Sequence, residues 1–191
     1  MFNDEGLVYP AQGICLGFQN MVRWAATTDA PIQPYAAHEP LTVEFTVPPV
    51  ITKQWVDMRS DAYQWETVPM GSHSHNYGVD PQLFTFDEGL SSFYRLTSIS
   101  YTPVEGNPFT SSMEAYDYPF MATQFHPEKP MTAFYDNAAN HSWESQRLNR
   151  YFADKLMSYA RQNTNTWGTY QEVQHVIIQN CRHVTLDDEY R

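Results

Sequence analysis

The stretch Gly13-Ile14-Cys15-Leu16-Gly17 follows an apolar run and predicts a sharp turn from a β-strand over Leu7–Gln12 into a helix over Phe18–Thr27. Small residues on both sides of the cysteine allow a tight, strained turn that larger side chains would block. Such a turn raises the sulfur to the helix N-terminus, where the local positive potential favours a thiolate. These five residues alone suit a nucleophile, although a buried structural cysteine is the commoner fate of a lone cysteine.

A second motif lies more than a hundred residues further along the chain. Phe120–Phe125 has the composition of a buried strand, and His126-Pro127-Glu128 follows it directly. A thiol nucleophile needs a base to take its proton, and the base needs a partner that fixes its tautomer. We therefore predict that His126 is the base and that Glu128 orients it. The two motifs together are far more specific than either one.

Together, Gly13–Gly17 and Gln124–Glu128 resemble the paired signatures of the class I glutamine amidotransferase superfamily. Longer stretches are similar to one branch, the gamma-glutamyl hydrolases: Ser112–Pro119, running into Thr123–Lys129, and Ser74–Val79. The resemblance implies an α/β fold, a three-layer sandwich with a mostly parallel central sheet. It covers nearly the whole chain, so residues 1–191 are expected to form a single, partial domain of this kind.

The resemblance also implies that the N-terminal third of the family's domain is missing from this sequence. That part carries the first βα units and a Gly-rich loop whose backbone N–H helps to form the oxyanion hole. We expect the chain alone to be poorly soluble, because an uncovered apolar edge strand promotes aggregation. We also expect activity at least about a hundredfold below that of a matched longer chain, because one oxyanion donor would be lost.

The activity implied by the resemblance is hydrolysis of gamma-glutamyl bonds, in folylpoly-gamma-glutamates or related peptides, through a cysteine thioester. The implied site comprises the nucleophile, its base and orienting carboxylate, an oxyanion-binding backbone N–H and two substrate-binding side chains: Cys15, His126, Glu128, Leu16, His75 and Gln19. Gln19 departs from the hydrolases, which often carry an acidic residue there, and matches the amidotransferases. A glutaminase module of an amidotransferase therefore stays open, as does a truncated remnant without catalysis.

Composition limits the partners. The net charge of −11, from 11 basic and 22 acidic residues, disfavours nucleic acids and anionic membranes, which attract cationic proteins. The expected partner is a small gamma-glutamyl substrate, with a homodimer left open and neither a cofactor nor a metal expected. The resemblance implies a lysosomal, vacuolar or extracellular location, although the chain has no recognisable signal peptide. Cys181 is the second cysteine, and Asn140-His141-Ser142 is a lone glycosylation sequon.

Periodicity and turn residues predict the remaining elements. We expect a loop over Met70–Gly78 that holds His73 and His75, and a helix that starts at Ser142. The other expected elements are short strands and one helix: strands over Thr42–Thr46, Arg95–Tyr101, Ser111–Tyr116 and Val173–Gln179, and a helix over Ile51–Trp65.

Overall fold

The computed structural model describes residues 2–135, 139–166, 168–177 and 180. The strands are β1 Ala11–Ile14, β2 Ile32–Ala37, β3 Pro40–Leu41, β4 Glu44–Phe45, β5 Gly71–Ser72, β6 His75–Val79, β7 Tyr94–Tyr101, β8 Pro108–Ala115 and β9 Phe120–Thr123. The α-helices are α1 Leu16–Ala25, α2 Leu83–Phe86, α3 Glu88–Phe93, α4 Lys129–Thr132, α5 Trp143–Ala160 and α6 Tyr170–Gln174. Two 3₁₀ segments cover Pro49–Ile51 and Val56–Glu66.

The main sheet has the order β1-β9-β8-β7-β4. It confirms the α/β class, but the expectation of a mostly parallel sheet is wrong for the described strands. Only β1 and β9 pair in parallel, and the other three pairings are antiparallel. For β7–β8 and β8–β9 the reason is the length of the connections. The β7–β8 and β8–β9 links are short turns, which join antiparallel neighbours, whereas parallel strands require a long crossover.

Helical layers cover both faces of this sheet, as expected for a three-layer sandwich. Alternate side chains of a strand point to opposite faces. Accordingly, Met113 and Ala115 of β8 pack with Phe18 and Val22 of α1 in one core cluster. Ser112 of β8 points the other way and accepts a hydrogen bond from the indole N–H of Trp55. That second face holds an aromatic cluster covered by α5: Trp55, Trp65, Phe125 and Phe152.

The predicted loop over Met70–Gly78 is wrong. It contains β5, which pairs with β3, and β6, which pairs with β2, both antiparallel. The partner strands β2 and β3 lie before Thr42–Thr46, the one strand expected in that part of the chain. Strand pairing across about forty residues is a tertiary interaction that no local pattern in 70–78 encodes.

The other local predictions differ mainly at their ends. The first strand begins at Ala11 instead of Leu7. In place of the predicted helix over Ile51–Trp65 the chain forms two 3₁₀ segments, and the second is broken at Arg59 with φ 54°. The predicted start of the long helix at Ser142 is confirmed, since the Ser142 hydroxyl accepts a hydrogen bond from the Ser145 N–H at 3.2 Å.

The C-terminal tail forms α6 where an edge strand over 173–179 was expected. A reciprocal capping box between Thr169 and Glu172 explains the helix start. Residues 178 and 179, like Cys181, lie outside the described residues. The described part of the chain contains no helix long and apolar enough to cross a membrane.

Candidate active site

Cys15 occupies a strained turn between β1 and α1. Its backbone lies at φ 52° and ψ −104°, in a region that non-glycine residues rarely adopt. Two backbone hydrogen bonds hold this turn. The Cys15 N–H donates to the Thr123 carbonyl of β9 at 2.9 Å, and the Gln19 N–H donates to the Cys15 carbonyl at 3.1 Å. Strain of this kind persists only where the surroundings impose it, and it clusters at functional sites.

The two glycines of the motif have different roles. A Cβ at Gly13 would lie 2.6 Å from Met21 Sδ and 2.9 Å from the backbone of Gly17. A Cβ at Gly17 would meet nothing within 4 Å. The expectation that both glycines relieve crowding is therefore wrong at Gly17, and only Gly13 permits the close approach of β1 to α1.

We predict that Gly13→Ala lowers the free energy of unfolding by about 1 to 3 kcal/mol, the usual cost of overpacking. Gly17→Ala is the matched control. It should leave stability unchanged or raise it by up to about 1 kcal/mol, because alanine is the better helix former. Urea unfolding of both variants would measure the difference, and equal stabilities would contradict this assignment of the close approach to Gly13.

His126 and Glu128 form a hydrogen-bonded pair directly after β9. Glu128 Oε1 lies 2.6 Å from His126 Nδ1, which leaves Nε2 of the ring for Cys15. The His126 N–H donates to the Ser72 carbonyl at 2.8 Å and fixes the backbone. Phe125, buried against Trp65 at a centroid distance of 5.2 Å, anchors the same segment in the core.

The electrostatics of this group favour a charged imidazole. The hydrogen bond with Cys15, followed by that with Glu128, raises the pKa of His126 from 6.5 to about 9. Burial acts to raise the pKa of Glu128, but its hydrogen bond with His126 holds that pKa below the usual value. The geometry therefore supports an imidazolium at neutral pH between two partners that can be anionic.

This shift has a consequence for stability. Because the folded state raises the pKa of His126, the resulting stabilisation is complete below about pH 6.5 and is lost as the pH rises through about 9. We expect the free energy of unfolding to fall by about 1 to 3 kcal/mol over that range. Urea unfolding from pH 6 to pH 10 would measure it. His126→Asn should show a flatter profile, and parallel profiles would contradict the prediction.

Gln19 lies beside the nucleophile but does not face solvent. The side chain is only 7% exposed, and its Nε2 donates to the Tyr77 carbonyl at 2.7 Å and to Gln124 Oε1 at 3.2 Å. Gln124 in turn places Nε2 3.7 Å from Cys15 Sγ. Sequence reasoning did not single out Gln124 as a neighbour of the sulfur. The signal was its position, one residue before Phe125 and two before His126.

His75, the other predicted substrate-binding side chain, is also enclosed. Its Nδ1 lies 2.9 Å from the Tyr35 carbonyl, and its Nε2 lies 2.9 Å from Nδ1 of His73. A carbonyl can only accept, so the proton of neutral His75 sits on Nδ1 and Nε2 accepts from His73. Burial lowers the pKa of His75 to about 4, and the charges of His38 and His126 act in the same direction. In this arrangement both ring nitrogens are occupied, and neither is free for a ligand.

Leu16 is the first residue of α1, immediately after Cys15. Its side chain is exposed, and its N–H belongs to the first turn, where backbone donors have no partner within the helix. This donor therefore follows Cys15 directly in the chain, at the positive end of the helix dipole.

The sequence comparison identifies the family to which these elements belong. The model of the glutamine amidotransferase class-I family matches residues 5–144, which include the elbow at Cys15 and the pair of His126 and Glu128. The chain is a member of this family.

Within the class-I amidotransferase family, the curated relatives include gamma-glutamyl hydrolases. Gamma-glutamyl hydrolase 1 of Arabidopsis thaliana is 26% identical over 177 residues, which cover 85% of this chain and 47% of that protein. The gamma-glutamyl hydrolase of Bos taurus is 25% identical over 181 residues, with 93% and 56% covered. The chain thus spans about half the length of these relatives.

A solved structure, the glutaminase domain of Trypanosoma brucei CTPS, is 18% identical with a TM-score of 0.43 over 83% of this chain and 62% of that one.

No group of three or more His, Cys, Asp or Glu side chains suited to a metal occurs among the residues described. The structure brings together Cys15, His126 and Glu128, three of the side chains predicted for the site, and places Gln124 Nε2 3.7 Å from the sulfur.

Proposed function

We propose that the chain hydrolyses gamma-glutamyl bonds through a covalent thioester on Cys15. The observation that carries this proposal is the strained elbow of Cys15 beside His126, whose pKa the Cys15 side chain raises and whose Nδ1 lies 2.6 Å from Glu128 Oε1. An activated thiol, an adjacent base and a group that orients the base are the requirements of nucleophilic catalysis.

The first half of the reaction forms the thioester. The Cys15 thiolate attacks the gamma-carbonyl carbon, and the carbonyl electron pair moves onto oxygen. The Leu16 N–H, at the N-terminus of α1, is the donor proposed for that oxyanion. When the intermediate collapses, the C–N bond breaks and the His126 imidazolium gives its Nε2 proton to the departing amine.

The second half uses water. Neutral His126 takes a proton from the attacking water, and the new C–O bond replaces the C–S bond. The thiolate leaves and again pairs with the imidazolium. The acid product loses a proton, and the released amine takes up that proton to become an ammonium. The reaction therefore consumes only substrate and water. Glu128 holds the ring in place throughout, because its oxygen contacts Nδ1 at 2.6 Å.

The names of the curated relatives support a gamma-glutamyl substrate over other amides. Folylpoly-gamma-glutamates and related gamma-glutamyl peptides are the substrates proposed, and a lysosomal, vacuolar or extracellular location goes with them. The second candidate is a glutaminase module, favoured by the presence of Gln19. Against it, the Gln19 amide nitrogen is committed to Tyr77 and Gln124.

In the deciding experiment, the purified chain is incubated with gamma-linked diglutamate, alpha-linked diglutamate or free glutamine. The release of glutamate and of ammonia is then measured. Hydrolysis of the gamma-linked peptide alone supports the proposal. Ammonia from glutamine without peptide cleavage would favour the glutaminase, and no turnover by a cooperatively folded sample would favour a non-catalytic remnant. Cys15→Ala, assayed in parallel, controls for contaminating peptidases.

A further inference from the structure

A continuous hydrogen-bonded path of buried amides runs from β6 to the nucleophile. The Tyr77 carbonyl accepts from Gln19 Nε2, Gln124 Oε1 accepts from the same nitrogen, and Gln124 Nε2 lies 3.7 Å from Cys15 Sγ. Gln124 is fully buried, and its backbone N–H donates to the Ser111 carbonyl at 2.8 Å. The backbone of Gln124 and its side-chain amide are thus both held by hydrogen bonds.

The Tyr77 carbonyl determines which amide atoms along this path are donors and which are acceptors. A backbone carbonyl can only accept, so the Gln19 atom that faces Tyr77 must be the amide nitrogen. That nitrogen also faces Gln124, so the Gln124 atom beside it must be the oxygen. The remaining amide atom of Gln124, which faces the sulfur, is therefore a nitrogen that carries hydrogen.

We infer that Gln124 is a catalytic residue of this site, donating its amide N–H to the Cys15 thiolate, and that Gln19 is the residue that positions it. The inference rests on the proposed function for its place in a reaction cycle. The sulfur is negative before attack and again as the thioester breaks. A hydrogen bond to a charged acceptor is roughly twice as strong as a neutral one, so Gln124 favours the thiolate over the thiol.

Gln124 complements His126 in this role. His126 must give up its proton to the leaving amine, so its charge is absent for part of the cycle. The Gln124 amide does not titrate, and it presents the same donor at every step. Its burial also excludes water from that side of the sulfur, which strengthens the interaction.

The test measures the rate at which iodoacetamide modifies Cys15, followed by peptide mapping from pH 6 to pH 10. The probe needs no substrate, so it reports on the sulfur whether or not the chain hydrolyses gamma-glutamyl bonds. We expect Gln124→Met, which keeps the length of the side chain but removes the donor, to slow alkylation about tenfold near pH 6.5. Rates should converge with the wild type above about pH 9, where a thiol ionises without help.

Two further variants provide an independent test and a control. Gln19→Met leaves Gln124 in place but removes its anchor, and it should slow alkylation several-fold in the same pH range. Gln171→Met makes the same chemical change at an exposed position of α6, and it should leave the rate unchanged. If Gln124→Met fails to fold, Gln19→Met decides alone.

Wild-type alkylation profiles in both site variants would overturn the inference. A uniform loss of rate at all pH values would overturn it too, because a merely structural disturbance would not be repaired by raising the pH. If the profiles shift as expected but gamma-linked diglutamate is not cleaved, the proposed function fails and the role of Gln124 toward the sulfur stands.

Discussion

Cys15→Ala should lower hydrolysis of gamma-linked diglutamate by at least about 10⁴-fold, because the thioester cannot form without the sulfur. Cys15→Ser should also lose at least about 10³-fold, since a hydroxyl ionises far less readily than a thiol and His126 would no longer face a thiolate. Steady-state glutamate release measures both effects. Mass spectrometry of quenched wild-type reactions should detect an acyl adduct on the peptide that contains Cys15.

The matched control is Cys181→Ser, which changes the chain's second cysteine and should keep full turnover. In the folded wild type, iodoacetamide should modify Cys15 well before Cys181. Equal labelling of the two cysteines under native conditions, or turnover retained in Cys15→Ala, would show that this sulfur is not the nucleophile.

The second large effect is expected at the base. His126→Ala should lower the catalytic rate by about 10³- to 10⁵-fold, because it removes both the partner of the thiolate and the proton donor to the leaving amine. Glu128→Gln should cost less, about 10- to 100-fold, because the amide oxygen can still accept from His126 Nδ1. Initial rates over a range of substrate concentrations would separate these losses from weaker binding.

The pH dependence of the rate distinguishes the loss of His126 orientation from a general disturbance of the fold. The wild type should lose activity as His126 deprotonates, near pH 9. Because the Glu128 charge helps to raise that pKa, the alkaline limb of Glu128→Gln should move to lower pH. His175→Ala, at an exposed histidine after α6, should change neither rate nor profile. An unshifted alkaline limb in Glu128→Gln would contradict the role given to this carboxylate.

The local features of the site could be predicted from the sequence because their physics is local. The turn at Cys15 follows from a small residue, Gly13, where β1 must approach α1 closely. The pairing of His126 with Glu128 follows from a spacing of two residues after a strand end. The cap at Ser142 follows from the need of the first N–H groups of a helix for an acceptor.

Sequence patterns did not reveal the hydrogen-bond partners that lie far away in the sequence. His75 reads as a loop histidine, but the pairing of β6 with β2 buries it against Tyr35 and His73. Gln19 is predicted to bind substrate, and no local pattern shows that its amide nitrogen contacts Tyr77 and Gln124. A polar side chain reveals its function only with its hydrogen-bond partners, and those are set by the packing of distant segments.

The sequence by itself therefore determined the chemical groups of this site: a cysteine at a helix start, and a histidine with its carboxylate. The tertiary structure alone decided that these groups meet. β1 and β9 pair in parallel, with Ile14 opposite Thr123, so that Cys15 and His126 emerge at the same end of the sheet. Such pairing depends on burial of apolar surface across the whole sheet. The hydrophobic effect is non-directional and acts between residues that are distant in the sequence, so no local pattern encodes the pairing.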